Sequence, residues 1–177
     1  DVDDFPAPGV TFRDITPLLA DAEGFSRAVN ELGGRFDDAP ADRVLGMEAR
    51  GFIIAAPVAY RMGAGFVPVR KAGKLPWAVV REEYSLEYGR DKLEIHRDAI
   101  HPGERILVID DVLATGGTAA ATVKLVEALR SLIRVREGEE IRPVEVVSTG
   151  RRLRLFTPED LTRLVMDFEE SMTRLAA

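Results

Sequence analysis

Short, mostly apolar runs alternate along the middle of the chain with segments whose apolar residues recur at helical spacing. The runs are continuously apolar rather than alternating, which is typical of parallel strands buried on both faces. Strands and helices that follow each other in this way predict an α/β fold with a central, mostly parallel sheet flanked by helices. The predicted strands are residues 43–47, 64–69 and 105–109, and the predicted helices are residues 24–36, 51–62 and 116–133.

The two ends of the chain have other patterns. Residues 1–20 are rich in Pro and Asp and indicate an irregular arm. Near the other end, Thr157 can cap a helix whose first turn contains Pro158, which predicts a terminal helix over residues 158–175. Shorter strands are predicted at residues 93–96 and 141–147, and a loop at residues 72–77.

Composition limits the classes of function. The 177 residues fit one compact domain, and 46% of them are hydrophobic, enough for a core. The formal net charge of −6, without a long basic block, argues against a nucleic-acid surface. No apolar run approaches the roughly 18 residues of a membrane helix. The absence of cysteine excludes disulfides and is compatible with the cytoplasm, where we expect the protein to be.

One segment, ILVIDDVLATGGT at residues 106–118, carries candidate chemistry. An apolar strand ends in two carboxylates, Asp110 and Asp111, and a loop of small residues then opens a helix. Such a loop lies at the carboxyl edge of the sheet, where ligands of α/β proteins bind. Backbone N–H groups at a helix start favour an anion such as phosphate. The two carboxylates suit sugar hydroxyls, or a Mg²⁺ shell that is reached through those hydroxyls and water.

A plainer interpretation of this segment is a solvated strand end followed by a tight turn. The order of strand, carboxylates, small-residue loop and helix favours the ligand site over that alternative. No lysine follows the glycines, so the segment is not the P-loop of nucleoside triphosphatases.

This segment resembles the phosphoribosyl pyrophosphate motif of the type I phosphoribosyltransferases. Further segments resemble their adenine-specific branch, and the similarity runs in order from about residue 4 to about residue 130. These segments are DFPAPGVTFRDITPLL at 4–19, MEARGF at 47–52, FVPVRKAGKLP at 66–76, YSLEYG at 84–89 and LEIH at 93–96.

The resemblance implies an enzyme that converts adenine and 5-phosphoribosyl 1-pyrophosphate to AMP and pyrophosphate. It also implies Mg²⁺ as cofactor, a homodimer, and one phosphoribosyltransferase domain over residues 1–177. Within that domain, residues 1–35 would form a base-binding hood and residues 43–133 the core. Residues 134–177 form a segment that departs from the family pattern after Leu132.

The resemblance also implies roles for individual residues. Asp110 and Asp111 would hold the ribose hydroxyls, and Phe12 would stack on the base. Glu87 and Tyr88 would lie on a mobile catalytic loop, with Arg50 and Lys74 as further catalytic residues. The other substrate-binding residues would be Ala114, Thr115, Gly116, Gly117 and Thr118 around the 5′-phosphate, Glu48, Ala49 and Arg70 around pyrophosphate, and Thr11 and Arg13 around the base.

Position alone leaves simpler roles open for several of these residues. Arg50 fits a surface arginine, Phe12 a core anchor, and the cations after residue 69 a solvated loop. Because that loop follows an apolar strand, we expect its cations at the same sheet edge as Asp110. Residues 73–89 lack a strong apolar pattern, which predicts a loop that acts as a lid over the site.

Two other functions stay open at this point. A 6-oxopurine phosphoribosyltransferase would share the phosphoribosyl motif, although the arm around Phe12 argues against it. A regulatory protein that kept the fold and lost turnover would also share it, although Glu87, Tyr88 and Lys74 argue against that alternative.

Overall fold

The computed structural model of the chain describes residues 1–5, 7–9, 11–12, 14–85, 90–111, 117–132, 144–148 and 151–155. These residues form four helices and seven strands. The helices are α1 (Thr16–Ala20), α2 (Ala22–Gly34), α3 (Arg50–Met62) and α4 (Gly117–Leu132). The strands are β1 (Arg43–Met47), β2 (Gly65–Lys71), β3 (Val79–Ser85), β4 (Arg90–His96), β5 (Ile106–Asp110), β6 (Val144–Ser148) and β7 (Arg151–Leu155).

The seven strands form one sheet in the order β3-β4-β2-β1-β5-β6-β7. Its centre is parallel, since β1 pairs in parallel with β2 and β5, and β5 pairs in parallel with β6. Antiparallel hairpins extend it on both sides, β3-β4 next to β2 and β7 next to β6. The mixed α/β sheet with a parallel centre confirms the predicted fold class.

Side chains of the central strands alternate between two apolar cores. In β1, Leu45 joins the core on the α4 face, whereas Val44 joins the core on the face of α2 and α3. In β5, Val108 joins the core on the α4 face and Leu107 joins the core on the face of α2 and α3. Because both faces are covered, the central strands need apolar residues at every position, which explains their continuous runs.

The first turn of α3 lies very close to the sheet because two glycines leave room for it. A Cβ added to Gly46 of β1 would lie 2.9 Å from the Cβ of Ala55 and 2.9 Å from the ring of Phe66. A Cβ added to Gly51 would lie 2.9 Å from Oδ1 of Asp110. The glycines therefore place the start of α3 beside the end of β5.

Two sequence predictions are wrong in this part of the fold. The arm contains a short helix, α1, with Pro17 in its first turn and Asp14 accepting a hydrogen bond from the Thr16 N–H at 2.9 Å. The predicted loop at residues 73–89 is a strand over Val79–Ser85, where Val80 and Tyr84 pack against the core. Pairing with β4 makes this segment a strand; residues 73–78 of the predicted loop are irregular, and its residues 86–89 lie outside the described residues.

At the carboxyl-terminal end, Arg151–Leu155 forms β7 instead of a simple lead into a helix. The predicted strand at 141–147 is confirmed over residues 144–147 and extends to Ser148, while residues 141–143 lie outside the described residues. The predicted terminal helix at residues 158–175 lies outside the described residues. Within the part of the chain that the structure describes, no helix is long and apolar enough to cross a membrane.

Candidate active site

The candidate site lies where three neighbouring parallel strands end. Gly46 of β1 pairs with Ile109 of β5, and Met47 of β1 pairs with Val69 of β2. The residues directly after these pairs therefore meet at one edge of the sheet. They are Glu48, Ala49 and Arg50 after β1, Arg70 near the end of β2, and Asp110 and Asp111 at the end of β5.

The two adjacent carboxylates contact each other and Arg50. Nε of Arg50 lies 2.8 Å from Oδ2 of Asp111, which is 7% exposed. That oxygen accepts no hydrogen bond from the described residues, so the contact is an ion pair without hydrogen-bond alignment. The Asp111 N–H donates to Oδ1 of Asp110 at 3.0 Å. Asp111 thus keeps a buried oxygen able to accept a hydrogen bond.

Asp110 has a strongly shifted pKa. Its burial and the neighbouring charge of Asp111 raise the pKa from 3.8 to about 7, while the Asp111 N–H and the charge of Arg50 act in the opposite direction. Desolvation and a like charge both disfavour an ionised carboxylate. Near neutral pH, Asp110 is therefore partly protonated in the free protein.

Glu48 holds the cations of the β2 end together. Lys74 makes an ion pair with Oε1 of Glu48, Nε of Arg70 lies 3.4 Å from Oε2, and the Lys71 N–H donates to Oε2 at 3.0 Å. Burial acts to raise the pKa of Glu48, but the hydrogen bonds from Lys74 and the Lys71 backbone, with the charges of Lys74 and Arg70, hold it below its usual value. The cations predicted for this edge are therefore close together in space.

The amino-terminal arm brings Phe12 to this edge. Val2 and Phe12 exchange two backbone hydrogen bonds of 2.8 Å, and the Phe5 and Phe12 rings meet edge to face at 5.3 Å. The guanidinium carbon of Arg50 lies 5.3 Å from the centre of the Phe12 ring, within cation–π range. Arg50 therefore lies between the Phe12 ring and the Asp111 carboxylate.

Some of the remaining predicted site residues lie in described parts of the chain, and others do not. Ala49 follows Glu48 through a cis peptide bond and immediately precedes α3. Gly117 and Thr118 are the first two residues of α4, the helix that follows β5 in the chain. Thr11 lies in the arm, where its hydroxyl donates to Asp3 at 3.1 Å. The predictions for Arg13, Glu87, Tyr88, Ala114, Thr115 and Gly116 concern residues outside the described ranges.

The sequence predictions assigned no role to two residues near the site. Tyr84 of β3 forms a hydrogen bond with Thr118, and burial raises the pKa of Tyr84. Glu94 of β4 is 1% exposed and accepts hydrogen bonds from Gly73 and Arg81. A glutamate between the apolar residues Leu93 and Ile95 was the available signal, because a charge inside an apolar strand requires partners.

Comparison with known proteins defines the class to which this fold and site belong. Residues 11–136 match the family model of the phosphoribosyl transferase domain. An adenine phosphoribosyltransferase from Roseiflexus castenholzii is 54% identical over 132 residues, which cover 75% of this chain and 77% of that relative. The chain therefore belongs to the adenine phosphoribosyltransferases, which are transferases with this domain.

Solved structures agree with this assignment. The adenine phosphoribosyltransferase of Rhodothermus marinus is 47% identical and aligns with a TM-score of 0.68, over 82% of this chain and 76% of that one. The enzyme of Saccharomyces cerevisiae, complexed with adenine and an imino-altritol bisphosphate, is 35% identical. It aligns with a TM-score of 0.71, over 83% of this chain and 81% of that one.

Proposed function

We propose that this protein transfers the phosphoribosyl group of 5-phosphoribosyl 1-pyrophosphate to adenine, which produces AMP and pyrophosphate. The observation that carries the proposal is the position of Arg50, which connects the paired carboxylates of β5 to an aromatic ring on the arm. These contacts bring the carboxylates proposed to bind the sugar close to the ring proposed to bind the base. The relatives described above act in the same way according to their names.

The paired carboxylates suit the ribose of the substrate. Asp110 and Asp111 would accept hydrogen bonds from the 2′- and 3′-hydroxyls, and such charge-assisted bonds are stronger than neutral ones. The buried Oδ2 of Asp111, which accepts no hydrogen bond from described residues, supports this role. The 5′-phosphate would bind at residues 114–118, where α4 begins and its N-terminal N–H groups favour an anion.

The cations suit the pyrophosphate of the substrate. Arg50, Arg70 and Lys74 are paired with the carboxylates of Asp111 and Glu48 in the free protein. Each of these side chains is at least one-third exposed, so an incoming anion can reach it. Pyrophosphate would replace the carboxylates as their partner.

The reaction breaks the bond between the anomeric carbon and pyrophosphate and forms a bond from that carbon to a ring nitrogen of adenine, which releases its proton to the solvent or to the leaving pyrophosphate. Negative charge builds up on the leaving pyrophosphate, and the anomeric carbon becomes electron-poor, as in glycoside chemistry. Arg50 and Lys74 would stabilise the leaving group by preorganised positive charge. Phe12 would stack on adenine, Thr11 and Arg13 would shape its pocket, and Glu87 and Tyr88 would act from the β3–β4 hairpin.

The described residues fit a Mg²⁺ ion that reaches the protein through its substrate. No group of three or more potential ligand side chains occurs among them, so they do not form a metal cage of their own. Asp110 and Asp111 supply oxygen atoms, the ligand type that Mg²⁺ prefers, beside the proposed ribose site. When it is bound, Mg²⁺ neutralises charge on the pyrophosphate.

The first prediction concerns base selectivity. With phosphoribosyl pyrophosphate and Mg²⁺, adenine should yield AMP at least about a hundredfold faster than guanine or hypoxanthine yield their nucleotides, because a site built to bond one set of polar groups rejects another. Chromatography of the nucleotide products measures this ratio. Equal turnover of guanine would identify a 6-oxopurine enzyme. Tight binding of phosphoribosyl pyrophosphate without any nucleotide would identify a regulatory protein.

The second prediction concerns the homodimer that we propose as the assembly. The outer face of α3 presents Ile53 and Tyr60, seven residues apart, and Tyr60 is 90% exposed, with exposed Phe66 of β2 close to this helix. Such apolar surface supports a protein contact. Sedimentation should give twice the mass of one chain, and Tyr60→Glu should shift it toward the monomer. Leu18→Glu, at an exposed apolar residue outside this face, should leave the dimer intact; an unchanged mass for Tyr60→Glu would contradict this interface.

We also propose that residues 1–177 form one domain in which the arm acts as a hood over the base. Contacts of Phe12 with Arg50 support this arrangement, because they connect the arm to the core. A cytoplasmic location is part of the proposal and rests on the absence of cysteine. Cell fractionation tests it directly.

A further inference from the structure

Glu94 is a buried carboxylate inside the sheet that the proposed chemistry does not use. It lies on β4, opposite Arg70 of β2 on one side and Arg81 of β3 on the other. The residue is 1% exposed. An ionised carboxylate in such a place is tolerated only when it is both paired and hydrogen-bonded.

Both oxygens of Glu94 have partners. Oε1 is contacted by Nε of Arg81 at 2.7 Å and by its Nη2 at 2.6 Å. Oε2 accepts the backbone N–H of Gly73 at 2.8 Å. One carboxylate thus connects the β3–β4 hairpin to the turn that follows β2.

That turn carries Lys74. Gly73 has a φ of +80°, a conformation that favours glycine, and its N–H to Glu94 holds the backbone just before Lys74. Lys74 then makes its ion pair with Glu48, and its carbonyl accepts a hydrogen bond of 3.4 Å from Arg70. The position of the Lys74 ammonium group therefore depends on the backbone that Glu94 binds.

We infer that Glu94 is a positioning residue that holds the Gly73 turn, and with it Lys74, against Glu48 and Arg70. The inference rests on the proposed function, in which Lys74 binds pyrophosphate. Glu94 does not touch the substrate, and it acts only through the turn.

Glu104 provides a matched control in the same chain. Its Oε1 contacts Arg43 Nε at 2.9 Å and Nη2 at 2.8 Å, and its Oε2 accepts the His101 N–H at 2.7 Å. The network repeats that of Glu94 but lies at the opposite edge of the sheet, where Arg43 begins β1. Loss of either network should affect stability, whereas only loss of the Glu94 network should affect the Lys74 turn.

The experiment compares Glu94→Gln with Glu104→Gln. In the wild type, Arg81 and Gly73 donate to different oxygens of Glu94. A carboxamide has one oxygen, so the side chain in Glu94→Gln can occupy only one of these two acceptor positions. The charged guanidinium of Arg81 forms the stronger hydrogen bond, so Gly73 loses its acceptor. Calorimetry with pyrophosphate and Mg²⁺ should show at least tenfold weaker binding for Glu94→Gln, and binding within twofold of wild type for Glu104→Gln. Hydrogen exchange of residues 72–78 should accelerate in Glu94→Gln alone, and the KM for adenine should stay within twofold.

A second substitution should restore binding. In the variant Arg81→Gln/Glu94→Gln the carboxamide oxygen at position 94 is free for Gly73, so pyrophosphate affinity should return to within threefold of wild type. Binding as weak as in Glu94→Gln would overturn the inference, as would wild-type binding by Glu94→Gln itself. If Glu94→Gln does not fold, two double variants can be compared instead. Arg81→Gln/Glu94→Leu offers Gly73 no acceptor, so it should bind pyrophosphate at least tenfold more weakly than Arg81→Gln/Glu94→Gln. Equal binding by the two variants would overturn the inference.

Different experimental results would contradict the proposed function and this inference. Wild-type protein that binds no pyrophosphate would contradict the function proposed for Lys74. The hydrogen exchange of residues 72–78 would still show whether Glu94 holds the turn.

Discussion

Replacing both Asp110 and Asp111 with Asn is expected to lower kcat/KM for phosphoribosyl pyrophosphate by at least about a hundredfold. Each hydrogen bond from a ribose hydroxyl to a charged carboxylate contributes roughly 1.5–3 kcal/mol, so two lost bonds correspond to about 10² to 10⁴ in affinity. The substitutions preserve side-chain shape and replace both carboxyl groups with amides that cannot carry a negative charge. Steady-state kinetics at saturating adenine measures the effect.

Asp42→Asn is the control for that experiment. Asp42 lies directly before the start of β1, at the opposite edge of the sheet, where its Oδ2 accepts the Arg105 N–H at 2.7 Å. It should keep kcat/KM for phosphoribosyl pyrophosphate within about twofold, because charge at that edge is far from the substrate. Normal turnover by the Asp110→Asn/Asp111→Asn protein would mean that the pair is a structural strand end, and the proposed ribose site would be wrong.

The single variant Asp110→Asn is expected to be more stable than the wild type at pH 8 and nearly equal to it at pH 4. The pKa of Asp110 is raised from 3.8 to about 7, so the folded protein binds a proton that the unfolded chain has already lost. The contribution of Asp110 to the stability of the wild type must then fall as pH rises from about 4 to about 7. A shift from 3.8 to about 7 corresponds to roughly 4 kcal/mol at pH 8, at about 1.36 kcal/mol per pKa unit. Chemical denaturation without ligands measures the difference.

Asp37→Asn is a control in which the expected change of stability at pH 8 has the opposite sign. The hydrogen bond from Arg61 is the main cause that lowers the pKa of Asp37, so this carboxylate stabilises the fold above its unfolded pKa and loses that effect as pH falls. Its replacement should therefore reduce stability slightly at pH 8 and have no effect in acid. A free-energy difference for Asp110→Asn that does not change between pH 4 and pH 8 would show that Asp110 is ionised throughout that range.

The sequence alone determined the centre of the fold and the location of the site. Continuous apolar runs in β1 and β5 require burial on both faces, and helical spacing between them requires helices on those faces. These are local patterns, so they can be read along the chain. Asp110 and Asp111 had to lie at the carboxyl edge because they follow the last apolar residue of β5.

The contacts between distant residues were decided only by the tertiary structure. Residues 79–85 lack a strong apolar pattern, because three charged residues separate Val80 from Tyr84, and pairing with β4 made them a strand. Lys74 binds Glu48, 26 positions earlier in the chain, because β1 and β2 end side by side. Arg50 reaches both Phe12 and Asp111 because it begins α3, where the ring of Phe12 and the end of β5 both lie beside it. Glu94 finds Gly73 and Arg81 only across strand pairs. Local patterns specify which residues form strands and helices, whereas sheet register and chain crossing specify which charges meet.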